Sequence, residues 1–223
     1  MGSLADSFFN AEILAQALPA VRAGLWVTLQ MTLAIIPTGI TLGLALALVR
    51  VRRIGALNIL IVIFVDVFRA LPPLVILIVL YFALPYLDIQ LSGFTAAWLG
   101  LSLVLAAFSE EIFWAGILSV DEGQWEAARA TGLSSSATLI YVVLPQAVRL
   151  AIAPLTNRAI AIGKGTALAS VIAVPEILNQ ATSIQAQTAN PSPLTLAAMA
   201  YLVLFLPLVV ASRWVESRFG WRH

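Results

Sequence analysis

The sequence predicts an all-α integral membrane protein with five transmembrane helices and a two-helix loop between the third and the fourth. Hydrophobic residues fill 61% of the 223 positions and charged residues only 10%, whereas soluble domains contain about 25% charged residues. Apolar runs of about 20 residues, the length that a helix needs to cross a bilayer, recur along the chain. These observations exclude a soluble globular domain, and a net charge of +1 gives no electrostatic reason to expect a nucleic-acid binder.

The five predicted spans are apolar runs that carry few charges. Spans 1 and 5 contain no charged residue, and span 3 contains only Glu110 and Glu111. Span 4 is long and apolar but carries Arg149, Arg158 and Lys164. All belong to one expected transmembrane domain, residues 1–223, and their predicted limits are 25–49, 57–84, 92–118, 147–174 and 193–212.

The second span is interrupted by two adjacent prolines, Pro72 and Pro73. Proline has no backbone N–H to donate, so it fits the first turn of a helix better than its interior. We therefore expect a broken element. Leu57–Phe68 forms a helical approach, and Pro72–Leu84 forms the deep part of the span.

The orientation of the chain follows from its basic residues, because Lys and Arg accumulate in short cytoplasmic loops. With five alternating spans, eight arginines fall on one side of the membrane and only Arg22 on the other. The N-terminus is therefore predicted outside and the C-terminus in the cytoplasm. The eight residues are Arg50, Arg52, Arg53, Arg129, Arg149, Arg213, Arg218 and Arg222.

The cytoplasmic loop over residues 120–145 contains two helical stretches. Gln124–Thr131 is rich in helix formers and is followed by Gly132, a residue typical of a left-handed cap. Ser134–Ser136 can cap a second helix, which we expect Pro145 to end. The loop is thus predicted to be a compact two-helix projection that a partner protein could contact.

Catalysis and metal binding by this chain are not expected. There is no cysteine, and the one histidine is His223, so a thiolate site, a histidine metal site and a histidine-based triad are excluded. The run Gly163-Lys164-Gly165-Thr166 lacks the upstream glycine of a phosphate-binding loop. The chain is therefore not expected to be an enzyme or to hydrolyse ATP.

Charged residues inside spans are candidate functional groups, because they are costly in a bilayer. Asp66 and Arg69 are three apart, so they can pair on one helix face. The pair can be a structural salt bridge, or it can take part in a gate or in a substrate contact on the pathway. Glu110 and Glu111 are adjacent and lie about 100° apart on a helix. We expect them to serve different sites, one facing the substrate pathway and the other pairing with a basic residue of span 2 or span 4. The alternative is a buried ion-pair network.

Span 4 carries a second candidate pathway group. Asn157 and Lys164 are seven apart and are expected to share one helix face. An amide and an ammonium along one face suit the passage of a zwitterion. The alternative is helix–helix packing around a satisfied lysine.

The loop carries a family resemblance. Glu126-Ala127-Ala128, Gly132, Val142 and Leu144-Pro145 stand at the spacing that resembles the EAA loop of ABC importer permeases. In that family the loop helix inserts into a groove of the ATPase subunit, so the resemblance implies that Glu126, Ala127, Ala128, Gly132, Leu144 and Pro145 couple this chain to an ATPase.

Four further runs narrow the resemblance to the polar amino acid uptake permeases, the histidine/glutamine group. They are Phe68–Leu74, Ala106–Ile112, Gly123–Ala128 and Leu144–Arg149. The resemblance implies a multi-pass protein of the bacterial cytoplasmic membrane. It also implies two ATPase subunits that hold ATP and Mg²⁺, a second permease subunit, and a substrate-binding protein that meets the outer loop 175–193. No cofactor of its own is implied.

The sequence departs from the family pattern at two positions of span 4 that bear on which substrate is carried. The family usually has Lys-Asp-Thr-Ser-Leu where this chain has Lys164-Gly165-Thr166-Ala167-Leu168. The acid is lost at Gly165 and the hydroxyl at Ala167. A different substrate such as an opine or a compatible solute, or one half of a heterodimer that leaves substrate binding to its partner, would fit this departure. A scaffold or transduction role without transport also stands as an alternative to polar amino acid import.

Overall fold

The computed structural model describes residues 4–219, apart from the side chains of residue 5 and of residues 215–219. Arg222 and His223 lie outside the described residues, and so does the side chain of Arg218. Throughout the described part, the regular structure is helical. The all-α prediction is confirmed.

The described helices are numbered in chain order. Four of them are long and apolar enough to cross a membrane, or five if the bent pair α3 and α4 counts as one span. The full set of described α-helices is α1 (Leu4–Phe8), α2 (Ala11–Val51), α3 (Gly55–Ala70), α4 (Pro73–Ile78), α5 (Gly93–Leu118), α6 (Glu122–Ala130), α7 (Ser135–Thr138), α8 (Leu144–Lys164), α9 (Ile177–Thr188) and α10 (Ser192–Phe219). Tighter or wider turns extend them: π-helical at Val79–Ala83 and Leu139–Val143, and 3₁₀ at Leu84–Leu87 and Gly165–Ile172.

Backbone contacts divide the chain into two compact units. The first unit contains the described residues up to Pro37, together with Leu71–Ser102 and Ile160–Val209. The second unit contains Thr38–Ala70, Leu103–Ala159 and the described residues from Val210 onward.

The first unit packs α2 and α10 against a helix that hydropathy alone does not reveal. Residues 175–193 were expected to be an outer loop, but α9 occupies most of them. Ile177 and Ala181 of α9 are fully buried against Ala17 and Val21 of α2 and Ala197 of α10. This packing also explains why α2 starts before the predicted limit, because the turns that meet α9 are stabilised by the contact.

The second unit has a core at the base of the predicted loop. Ile117 and Val120, at the end of α5, are buried with Leu139, Val143 and Ala147. Three partly buried side chains pack against this cluster, namely Leu48, Val51 and Trp125. Trp125 anchors α6 in this way to the cluster at the end of α5, against which the end of α2 also packs.

Pro145 does not end the second loop helix, and that expectation is wrong. The chain stays helical over Ser135–Ile172. Proline inside a helix removes a backbone donor and crowds the preceding turn, and here the π-helical turn Leu139–Val143 directly precedes it and widens the ladder. The side-chain amide of Gln146 also donates to the Val142 carbonyl at 2.8 Å, in the same turn.

The break in the second span lies where the prolines predict it. The helix α3 ends at Ala70, and α4 begins at Pro73. Pro72, the residue before α4, has φ −59° and ψ 132°, an extended conformation that stops the preceding helix.

Gly43 sets the approach of α2 to α5, and its replacement tests the packing of the second unit. A Cβ at Gly43 would lie 2.5 Å from the Ser109 Cβ and 2.7 Å from the Ala106 carbonyl oxygen. We expect Gly43→Ala to lower stability by about 1–3 kcal/mol, the range for overpacking, measured by thermal unfolding of the purified protein in detergent. Gly55→Ala is the matched control, because a Cβ there meets no atom within 4 Å. Equal melting temperatures for the two variants would contradict the prediction.

Candidate functional site

Helix α6 is fixed at both ends by its own sequence. At its start, the Asp121 carboxylate accepts a hydrogen bond from the Gly123 N–H at 2.7 Å, as an N-cap residue does. At its end, Gly132 has φ +92° and donates its N–H to the Arg129 carbonyl at 3.0 Å. A Cβ at Gly132 would have no neighbour within 4 Å. The backbone angle, and not crowding, is therefore what requires glycine here.

The six residues of the predicted coupling loop divide into a surface group and an anchoring group. Ala128 is buried, and Leu144 is half-buried. The others are exposed, namely Glu126, Ala127, Gly132 and Pro145. The α6 helix thus presents a carboxylate and a left-handed cap to its surroundings, while Ala128 and Trp125 hold it in place.

A pocket of about 480 Å³ lies beside α6 in the second unit. Its wall includes the indoles of Trp114 and Trp125 and side chains of both charges, Arg53, Arg129 and Glu126. Most of these groups are exposed, so the pocket is an open, mixed-charge surface next to the loop.

Four charged side chains form a cluster in the second unit. The Arg50 Nη1 lies 3.1 Å from both carboxylate oxygens of Glu110, whose side chain is wholly buried. The same nitrogen lies 3.7 Å from Glu111, and Arg69 Nη1 lies 3.3 Å from Glu111. Among the described residues Asp66 makes no ion pair with Arg69, and it lies exposed on α3. Arg69 therefore pairs with Glu111 and not with the nearer residue in sequence.

The expectation that Glu110 and Glu111 serve different sites is wrong, because Arg50 contacts both. The expectation that one of them pairs with a basic residue of span 2 or span 4 is confirmed by the Glu111–Arg69 pair. The sequence pattern places Arg50 among the cytoplasmic arginines and gives no sign of its contacts with α5. A buried glutamate in an apolar helix is stabilised by a cationic partner, but the sequence does not show which arginine or lysine lies beside it in the fold.

Aromatic rings complete the surroundings of these cations. The Arg50 guanidinium lies 4.5 Å from the centre of the Trp114 ring. Arg158 and Arg69 lie 3.7 Å and 5.6 Å from the centre of the Phe108 ring. Cation–π contacts of this kind are worth about 0.5–2 kcal/mol, so α5 stabilises three arginines through its rings and its carboxylates.

Lys164 lies in the first unit, at a second and different pocket. This pocket measures about 590 Å³, and its wall is apolar except for Lys164 and Tyr201. Lys164 is exposed, and the described residues place no carboxylate within ion-pair distance of it. Asn157, the other predicted pathway residue of this helix, is exposed in the second unit.

Glu176 is a polar residue of the first unit whose role the sequence did not indicate. It is wholly buried and accepts hydrogen bonds from the Leu178 and Asn179 N–H groups, at 3.0 and 2.7 Å, and from the Tyr201 hydroxyl. Burial raises the pKa of the Glu176 carboxyl above its ordinary value of 4.5, and these three hydrogen bonds oppose the rise. The sequence signal that could have revealed this site is an acidic residue directly before a helical stretch, because negative charge is favourable at a helix N-terminus.

Comparison with known proteins gives a family match and close relatives. Residues 39–221 match the family described as binding-protein-dependent transport system inner membrane component. The chain is 38% identical to a probable amino-acid ABC transporter permease, YckA, of Bacillus subtilis (strain 168), over 80% of this chain and 79% of that protein. It is 37% identical to a probable glutamine ABC transporter permease, GlnP, of the same organism, over 87% and 91%. A crystal structure of an amino acid ABC transporter with histidines superimposes with a TM-score of 0.84 at 31% identity, over 92% and 96%.

The ion cluster predicts unequal effects for two neighbouring glutamates. Glu110→Gln removes the buried carboxylate at 3.1 Å from Arg50 and leaves only Glu111, at 3.7 Å, as its ion-pair partner. Breaking a buried pair costs about 3–5 kcal/mol. Glu111→Gln removes the longer contacts with Arg69 and Arg50, in which the Glu111 side chain is 40% exposed. Exposed pairs are worth about 1 kcal/mol or less each. We expect thermal unfolding to show a large drop for the first variant and a small one for the second. Similar drops for both would contradict this assignment.

Proposed function

Since this chain belongs to the family of binding-protein-dependent transport system inner membrane components, we propose that it is the transmembrane subunit of an ATP-driven importer of polar amino acids or related zwitterions. It is a multi-pass inner membrane protein with the ABC transporter permease fold. The observation that carries the proposal is the surface of α6, where Glu126 and Gly132 lie exposed on a helix anchored by Trp125.

The proposed complex contains two ATPase subunits, a second permease subunit and an extracytoplasmic binding protein. ATP and Mg²⁺ belong to the ATPase subunits, and this chain is proposed to have no enzymatic activity and no cofactor of its own. The exposed ammonium of Lys164 supports a second permease subunit, because a charge that faces lipid is costly. The second subunit can be a copy of this chain or a related one.

The proposed orientation has the N-terminus outside and the C-terminus in the cytoplasm. The arginines near α6 support it, since Arg53 and Arg129 both lie at the pocket beside that helix. This orientation brings the α6 surface to the side where an ATPase binds its nucleotide.

Force from the ATPases is proposed to enter through α6. Trp125 of α6 packs against the same buried cluster as Leu48 and Val51, two residues of α2 that lie close to Arg50 in sequence. A shift of α6 therefore acts on the helix end that holds the pair of Arg50 with Glu110. We propose that this coupling drives alternating access, with Asp66, Arg69, Glu111 and the Arg50–Glu110 pair rearranging between states.

The Lys164 pocket is proposed to lie on the substrate route. Asn157, seven residues earlier on α8, is proposed as a second polar group of that route. An ammonium in an apolar wall suits the carboxylate of an amino acid. The relative named as a glutamine permease supports a polar amino acid as substrate. Opines and compatible solutes with a carboxylate would use the same anchor, and a scaffold without transport would have no use for it.

Reconstituted transport tests the proposal. The chain is placed in vesicles with its ATPase and binding protein, and uptake of amino acids, an opine and a compatible solute is measured with and without ATP. We expect ATP-dependent uptake of at least one zwitterion. Assembly and ATPase activity without uptake of any of them would favour the scaffold role.

Gly132→Asp tests the coupling surface. A side chain at φ +92° costs about 1–2 kcal/mol of backbone energy, and its charge would project from the cap of α6. We expect normal membrane insertion and loss of ATPase co-purification. Gly132→Asn is the control, since asparagine tolerates a left-handed conformation and carries no charge. Co-purification of the ATPase with Gly132→Asp at wild-type yield would contradict the role of this surface.

Lys164→Gln tests the substrate route. Loss of a charge-assisted hydrogen bond costs about 1.5–3 kcal/mol, so we expect the uptake rate at limiting substrate to fall about tenfold or more. Lys164→Arg keeps the cation and should retain most of the uptake. Equal rates for the glutamine variant and the wild type would remove Lys164 from the route.

A further inference from the structure

Glu176 is a buried carboxylate that is held by neutral donors. Its side chain is 0% exposed, and the described residues show no cation in ion-pair contact with it. Its three partners are two N–H groups of α9 and the phenol O–H of Tyr201. One carboxylate thus begins α9 and contacts α10 at the same time.

The start of α9 is also fixed against α2. The Ile177 N–H donates to the hydroxyl of Thr28, a buried residue, at 3.3 Å. A Cβ at Gly24 would lie 2.8 Å from the Glu176 carbonyl carbon and oxygen. Backbone that lies this close cannot shift on its own, so a displacement of α9 is passed on through its first turn.

Tyr201 connects Glu176 and the start of α9 to the pocket that contains Lys164. Its ring forms part of the wall that contains Lys164, and its hydroxyl is committed to Glu176. The ring stacks on Phe205 at 6.3 Å between centres. A Cβ at Gly163, the residue before Lys164, would meet the Phe205 ring at 2.9 Å. The position of Tyr201 therefore sets the wall beside the lysine.

We propose that Glu176 is a positioning residue that joins α9 to the wall of the Lys164 pocket, so that a protein seated on α9 alters the pocket through Tyr201. The inference rests on the proposed function, in which that protein is the substrate-binding protein. The helix α9 carries no charge and exposes polar side chains such as Ser183 and Gln187, which suits a contact that must form and release.

The experiment measures how far liganded binding protein stimulates the ATPase of the reconstituted complex. Tyr201→Phe keeps the ring and the cap of α9 but removes the O–H, and Glu176→Gln weakens the same link from the other side. We expect each to lower the stimulation about fivefold or more, as for coupled sites, with normal amounts of complex. The double variant should lose little more than the single ones, because both substitutions act on the same hydrogen bond between Tyr201 and Glu176.

Tyr86→Phe is the matched control, since this tyrosine of the first unit is 90% exposed. Wild-type stimulation in the Tyr201→Phe complex, or an equal loss in Tyr86→Phe, would overturn the inference. If Tyr201→Phe lowers the yield of complex, the Glu176→Gln complex decides in the same way. Absence of stimulation in the wild type would instead count against the proposed function itself.

Discussion

The buried carboxylate of Glu110 imposes the constraint on which the second unit depends. An isolated charge in an apolar interior costs several kcal/mol, so the Arg50 guanidinium must stay beside it. That requirement fixes the end of α2 against α5. The close approach of the two helices at Gly43 brings the Arg50 side chain within contact distance of Glu110. The Arg50 carbonyl also accepts a hydrogen bond from the Asn58 amide at 3.2 Å, which ties α3 to the same point. One ion pair thereby organises three helices.

The parts of the fold that sequence reasoning predicted are those with local signals. The helix α5 begins at Gly93, one residue after Ser92, whose hydroxyl accepts from the Thr95 N–H at 3.1 Å. Gly132 ends the α6 region by its left-handed angle. The helix α9 was missed because a search for apolar runs overlooks a helix with one buried face, and the early start of α2 was missed for the same reason.

The candidate site was less predictable, because its partners meet only in the folded chain. The spacing of Asp66 and Arg69 favoured a local pair, yet Arg69 turns to Glu111 on another helix. The spacing could not show that the Arg50 side chain spans both glutamates of α5. The buried role of Glu176 likewise required knowledge that Tyr201, 25 residues further on, lies beside it. Local periodicity describes one helix, whereas electrostatic partners belong to the packing of several.

The π-helical turn ahead of Pro145 has a consequence for rotational phase. A π-turn inserts one residue into a helical ladder, and one residue corresponds to about 100° of rotation. The face of the helix before Leu139–Val143 is therefore turned by roughly that angle relative to an unbroken α-helix, while the axis continues into α8. The side chains of the loop helix before the turn and those of α8 after it can therefore face directions that an unbroken α-helix would not allow. A single inserted residue acts here as an angular offset between two surfaces.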